Sequence, residues 1–295
     1  MVVGHRLFLV LAGALIPFTA AAQGLDTAKI DSQLGRSGQK AGEVYKVGFP
    51  RTDLHVSVHG LVIKPGLALG SWAAFLGTDE SAMVMGDLVL LESEINPVLD
   101  KLRGAGFEIT AIHNHLAEET PHVMYLHYMG HGNAAQLATE LHVALAASKT
   151  PLEKPAASVE LPNPPTWVDA IEKKLGRKGA FRGGVLGYGV PRSGQITMGG
   201  MTIPPAAGMA ETINFQPADA GSVATTGDFV LTASEVNPVI TELRTHGIAV
   251  TALHSHMLTE EPRLFFMHFW SVGSPEAVGA GIGAALEKIS VEPAR

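Results

Sequence analysis

The 295-residue chain reads as α+β and as a tandem duplication, each copy combining mostly antiparallel strands, packed helices and a histidine-bearing hairpin. Three observations carry this reading. Segments recur at long range: "LGRSGQ" at Leu34 returns as "LGRKGA" at Leu175, "GFPR" at Gly48 as "GVPR" at Gly189, and "GLVIKP" at Gly60 as "GMTIPP" at Gly200. The longest match pairs "GDLVLLESEINPVLDKLRGAG" from Gly86 with "GDFVLTASEVNPVITELRTHG" from Gly227. Within each copy, apolar residues alternate first at strand spacing and then at helix spacing. Each copy also carries an apolar hairpin rich in imidazoles, "ITAIHNHLAEETPHVMYLHYMG" from Ile109 and "VTALHSHMLTEEPRLFFMHFWS" from Val250.

Residues 1–22 have the pattern of a secretory signal peptide. His5 and Arg6 precede an apolar run from Leu7 to Ile16 that is too short to span a bilayer, and Ala20-Ala21-Ala22 before Gln23 fits a small-residue cleavage site. The expectation is an exported protein, periplasmic or secreted, without a transmembrane anchor. Repeat 1 then covers residues 23–147, a Pro-rich connector covers 148–166, and repeat 2 covers 167–295. A hydrophobic content of 46% against 17% charged residues supports packed cores in both.

In repeat 1, Leu54 to Ile63 alternates like a strand, with His55, Ser57 and His59 on one face. Met83 to Leu91 is a second apolar run of strand length. Ser93 is expected to cap a helix in which Ile95, Val98, Leu99 and Leu102 recur at helical spacing until Gly104 and Gly106 end it. Phe107 onward returns to strand, and Val123 to Met129 reads as its hairpin partner. Ala134, Leu137, Ala138, Leu141 and Leu145 form the stripe of a closing helix. Repeat 2 closes through Ala277, Val278, Ala280, Ala285 and Leu286, with glycines that weaken the helix.

The hairpins hold the candidate site. On a strand, His113 and His115 project from one face, about 7 Å apart at a rise of ~3.3 Å per residue. If the chain turns about Thr120, His127 lies opposite His113 and His115 opposite Tyr125, while Glu119 can fold in from the turn. His254, His256, Glu260 and His268 repeat the arrangement, each 141 positions later (254 − 113 = 141). Imidazoles and a carboxylate suit a divalent transition metal, Zn, Fe, Mn or Cu, and the absence of Cys removes thiolate ligands and disulfides. Because imidazoles must be neutral to ligate, affinity should fall as pH drops through about 6.5. The competing reading is a set of structural histidines satisfied by backbone carbonyls.

Repeat 1 has further histidines at 55, 59, 122 and 131, aligned with Ile196, Gly200, Arg263 and Val272. Arg263 suits an anionic ligand, and Met257 is either a soft metal donor or core filling. Asp87 and Asp228 read first as strand residues bonded to nearby backbone, and second as groups orienting a metal-bound imidazole. Glu94 and Glu235 complement a helix N-terminus.

The two Gly-Asp blocks, the His-x-His segments and "EPRLFFMHFW" resemble the LppY/LpqO family of exported bacterial proteins, across essentially the whole mature chain. The resemblance implies an exported domain whose function is not established. Some members are lipoproteins, and the absence of Cys here implies a soluble exported protein instead. The His-x-His-x3-Glu spacing is also similar to the first metal motif of cupins, although the last histidine comes too soon for that fold.

A net charge of −7 argues against a nucleic-acid partner. Dinucleotide loops, phosphate loops and nucleophile elbows are missing from the sequence. The expected function is therefore exported transition-metal binding, with a small or anionic molecule as a further possible ligand. The alternatives are a metal-dependent hydrolase or oxygenase with an open coordination position, and a non-metal binding protein.

Overall fold

Each repeat lays down its elements in the same order, as its matched motifs require. In the computed structural model, residues 24–153 and 164–294 are described, together with Met1. Residues 1–22, expected from the sequence to be a signal peptide, fall almost wholly outside the described residues, as does the middle of the expected connector. Repeat 1 runs α1 (Thr27–Leu34), β1 (Gln39–Ala41), β2 (Val44–Pro50), β3 (Ser57–Val58), β4 (Leu61–Val62), α2 (Pro65–Ala68), β5 (Gly70–Gly77), β6 (Ala82–Leu91), α3 (Glu92–Gly104), β7 (Glu108–His113), β8 (Glu119–Thr120), β9 (Val123–Gly132) and α4 (Ala134–Leu145). Repeat 2 runs α5 (Thr166–Leu175), β10 (Ala180–Arg182), β11 (Val185–Pro191), β12 (Thr197–Met198), β13 (Met201–Thr202), β14 (Ala210–Pro217), β15 (Val223–Leu231), α6 (Ala233–Thr245), β16 (Ala249–His254), β17 (Glu260–Glu261), β18 (Phe265–Gly273) and α7 (Pro275–Leu286), with a 3-10 turn at Pro205–Ala207 in place of α2.

The two main sheets share one topology, β1-β2-β5-β6-β9-β7 and β10-β11-β14-β15-β18-β16, and every pairing is antiparallel. Period 2 assigns each sheet two faces. In repeat 1 Val84, Leu88, Leu90, Leu126 and Tyr128 pack with α1, α3 and α4 in one core, and repeat 2 builds the same core with α5, α6 and α7. The opposite faces of the two sheets meet each other. Val44, Ala74, Met83, Met85 and Met129 of repeat 1 pack there with Val230 and Phe266 of the repeat 2 sheet and with Ile196, Met198, Met257 and Leu264 from the short strand β12 and the loops beside it. The layers therefore run helix, sheet, sheet, helix, and both histidine hairpins look into the middle.

Three local expectations are corrected. The Leu54–Ile63 run is not one strand: it folds back at His59 and Gly60, both at positive φ (48° and 84°), as a two-residue hairpin needs. The counterpart turn uses Gly199 and Gly200, so Gly199 stands opposite His59 in the duplication. Helix α3 starts one residue before Ser93, after Leu91, whose N–H donates to Glu94 Oε2 at 2.9 Å. In α7 Ile282 completes the buried stripe and Ala277 is exposed. Its glycines serve close packing, since a Cβ on Gly281 would sit 2.7 Å from His246 Cβ.

Candidate metal centre

Strand pairing places the histidines. His113 ends β7, His115 follows in the loop, and His127 lies in β9. The register differs from the expected one by two residues: His113 faces Tyr125, and His127 faces Ala111. An irregularity between Ile109 and Ala111 accompanies this register. Because side chains alternate with period 2, a two-residue difference keeps His113 and His127 on the same face. Repeat 2 does the same, with His254 facing Phe266 and His268 facing Ala252.

The hairpins do not form two separate sites. Each ring finds its nearest imidazole in the other repeat: His113 stacks on His254 with centroids 3.5 Å apart, His115 on His268 at 3.7 Å, and His127 on His256 at 3.7 Å. The last two contacts exchange under the 141-residue offset and share an interplanar angle of 23°, as a pseudo-twofold relation requires. Tyr125 closes the stack on His115, and its counterpart Phe266 closes that on His256. Cross-repeat hydrogen bonds pin the hairpins together, from Asn114 Nδ2 to Thr251 O at 3.2 Å and from Thr251 Oγ1 to His115 O at 2.5 Å.

Among the described residues, the Nε2 atoms of all six histidines are buried without a hydrogen-bond partner. For two rings the tautomer follows from the backbone. His113 Nδ1–H donates to Asn114 O at 3.1 Å and His268 Nδ1–H to Gly227 O at 2.9 Å, which leaves each Nε2 with a bare lone pair. Two groups of four have ligand atoms within 4.8 Å of one another: His113, His115, His127 and His256, and His113, His254, His256 and His268. Such a nitrogen set fits a divalent transition metal.

Two aspartates stand beside the rings. Asp87 stands directly across the ladder from His127, and Asp228 across from His268. Asp87 lies 3.7 Å from His127 Nε2 and 3.8 Å from His115 Nε2, and Asp228 lies 3.8 Å from His256 Nδ1. A parity signal was available, because Asp87 shares the face of Met83, Met85 and Val89 inside an apolar run.

Burial sets the protonation. It lowers all six imidazoles, His113 to about 3 and His254 to about 4, with neighbouring imidazoles adding to the effect at every ring except His254. Burial likewise raises Asp87 and Asp228 well above the usual carboxylate range. At neutral pH the rings need lose no proton before coordinating.

One side of the cluster opens on a cavity of about 360 Å³ lined by Asp87, His115, His127, Asp228 and His256, with Lys46 and Trp72 at its wall. The Lys46 ammonium lies over the Trp72 ring at 3.9 Å, and burial lowers it to about 8 while Asp87 opposes that shift.

Other sequence candidates sit elsewhere. Glu119 and Glu260 are in neither group of four. Glu119 Oε1 accepts from Val123 N at 3.2 Å and lies 2.6 Å from His122 Nδ1, and Glu260 Oε1 accepts from Leu264 N at 2.9 Å. Both carboxylates fasten their hairpins. Arg263 donates to Met257 O, Leu258 O and Glu260 Oε2 within its own hairpin, away from the cavity. Met257 is buried core between the sheets. His55, His59 and His131 are exposed, and His59 pairs with Glu118 at 3.0 Å.

Residues 28–147 and 169–288 each match the Domain of Unknown Function (DUF1259). The chain belongs to that family. The match covers both repeats of this DUF1259 chain, and no curated protein matches it. Among solved structures, a trimeric bacterial microcompartment shell protein, PduB, is similar at 13% identity and a TM-score of 0.20 over 85% of this chain and 89% of that one. An unknown protein from Galdieria sulphuraria is similar at 12% identity and a TM-score of 0.17, over 72% of this chain and 95% of that one. TP0453 in crystal form I is similar at 12% identity and a TM-score of 0.19, over 89% of this chain and 98% of that one. At these scores the superpositions carry no argument.

Proposed function

We propose that this chain is an exported transition-metal-binding protein whose ion is held by histidines drawn from both repeats. Six histidines with buried, unpartnered ring nitrogens, His113, His115, His127, His254, His256 and His268, whose ligand atoms converge in two overlapping groups of four, carry the reading. A buried polar atom without a partner costs about 1–3 kcal/mol, and six in one place call for a common partner. Zn, Fe, Mn and Cu all suit imidazole nitrogen. Asp87, 3.7 and 3.8 Å from the Nε2 atoms of His127 and His115, stands on the side where an ion would sit, Asp228 lies beside Nδ1 of His256 and His268, and both supply negative charge once a cation is present. Glu119 and Glu260, the carboxylates of the sequence motif, serve as hairpin fasteners in this reading. Export, to the periplasm or outside the cell, rests on the N-terminal signal features, and the LppY/LpqO likeness points the same way.

A second reading, a metal-dependent hydrolase or oxygenase, is favoured by one observation: His115, His127 and His256 face a cavity large enough for a small molecule. A bound ion there supplies Lewis acidity. In that reading Lys46 and Asp87 position the second molecule.

The deciding experiment is elemental analysis of protein purified without chelators. About one transition-metal equivalent per chain is expected. No metal above background overturns the reading and leaves a non-metal protein with structural histidines.

A further inference from the structure

We propose that the basic cleft beside the histidine cavity binds a small organic anion, bearing carboxylate or phosphate groups, and leads it past Lys46 toward the histidines. The inference does not depend on a metal being bound.

The cleft has a volume of about 880 Å³ and is lined by Arg36, Lys40, Lys46, Lys64 and Arg182, with no acidic residue in its described lining. A chain of net charge −7 has thus gathered five cations in one concavity. The ion pairs among the described residues involve none of the five. Arg36 donates to the carbonyls of Gly48 and Glu153, but the other four cations have no ion pair among the described residues, and like charges so gathered repel one another unless an anion joins them. Concave sites of this size hold small molecules.

The duplication supplies an internal control. Strand register aligns Lys40 with Phe181 and Lys46 with Gly187, and the residue that precedes α2, Lys64, aligns with Pro204 before the 3-10 turn. The same fold is therefore built in repeat 2 without these charges. Only Arg36 keeps its counterpart, Arg177, and both reach a backbone carbonyl, of Glu153 and Glu292 respectively. The structural arginine recurs, and the other four cations of the cleft do not, since Arg182 in turn aligns with Ala41.

The cleft also leads somewhere. It shares Lys46, Gly48, Pro50, Pro65 and Gly66 with the cavity that reaches Asp87, His115, His127 and His256. Lys46 stands at this junction, and apart from the Trp72 face its ammonium has, among the described residues, one hydrogen bond, to Ala206 O at 3.5 Å. Donor capacity remains for an oxyanion. Both repeats form the walls, because Lys40 and Lys64 come from repeat 1 and Arg182 from repeat 2. Lys64 is held by its own backbone, whose N–H donates to Gln216 Oε1 at 2.8 Å.

The test is titration of chelator-treated full-length protein with succinate and, separately, glycerol 3-phosphate, read by calorimetry and by tryptophan fluorescence. These probes carry the two anionic groups and chelate weakly. At least one should bind, with affinity that falls as salt rises. The double variant K64A/R182A, at positions outside the candidate metal ligands, should bind about tenfold or more weakly while melting like the parent. Lys46→Met should weaken binding and Trp72→Phe should remove the fluorescence change. Preference for one probe names the carboxylate or the phosphate class. Failure of both probes to bind, or equal affinity in K64A/R182A, overturns the proposal. Anion binding by a protein that elemental analysis finds metal-free would leave this site standing and remove the metal centre.

Discussion

The imidazoles of His113 and His254, equivalent residues of the two repeats, lie face to face with ring centroids 3.5 Å apart and planes 24° from parallel. Around this contact the other four rings are paired reciprocally, so the duplication creates one centre rather than two. Both groups of four require His113 and His256, and the bare Nε2 of His113 serves one ion at a time. Native mass spectrometry should therefore find about one ion per chain. Two equally occupied sites would show that the repeats bind independently.

Substitution in either repeat should have the same consequence. His115→Ala and His256→Ala each remove a member of the group that opens on the cavity, so each should lower metal affinity by well over tenfold. Asp87→Asn should cost about 10–100-fold through loss of ring orientation and charge. Metal competition titrations check these three. An affinity change confined to repeat 1 would contradict the shared centre.

Glu119→Ala separates the fastening role from a ligand role. Its loss strips Val123 N and the His122 ring of their acceptor, which should destabilise the fold by about 1–3 kcal/mol. Metal affinity of the folded protein should stay within a few-fold of the parent. Urea unfolding and metal titration together decide, and a large affinity loss without a stability loss would restore Glu119 as a ligand.

The pH response follows from the lowered imidazoles. Above about 6.5 the rings are neutral in both folded and unfolded chains. Below it the unfolded chain takes up protons that the buried rings refuse until His254 reaches about 4 and His113 about 3. Metal-free protein should therefore lose stability as pH falls from about 6.5 toward 4, by up to about 1.4 kcal/mol per pH unit for each buried histidine. Asp87 and Asp228, raised by burial, work in the opposite direction: their contribution is present below the ordinary carboxylate range and is lost as pH rises from there through their raised folded values. Metal affinity should persist below 6.5, the value that sequence alone suggests, and fall only toward 4. Thermal melts of chelator-treated protein check the first claim, and a flat profile would mean that water reaches the rings.

Gly281→Ala should destabilise despite alanine's better helix propensity. The added Cβ would lie 2.7 Å from His246 Cβ and 2.8 Å from Ile248 Cδ1, at the contact of α7 with α6. Overpacking of this kind costs about 1–3 kcal/mol, against about 1 kcal/mol gained from propensity. A raised melting temperature would show that the helices can separate to admit a methyl group.

Much of this protein was legible in one dimension. Repeated motifs gave away the duplication, and alternation along β6, β7 and β9 put His113 and His127 on the face away from the helices, because strand periodicity is a local property. Even a register two residues from the expected one left that face unchanged. What no local pattern could reveal was which rings touch. His115 stacks on His268 and His127 on His256 only because the two sheets dock inner face to inner face, and residues 153 (268 − 115) and 129 (256 − 127) apart in sequence meet through that packing alone. The same docking buries Asp87 beside the Nε2 atoms of His115 and His127 and leaves Glu119, close to His115 in sequence, to fasten the edge of its hairpin. It also places Lys46 at the mouth of a cleft that takes walls from both repeats. Sequence determined which side chains face inward, and tertiary structure decided what they face, because the partner surface belongs to the other repeat.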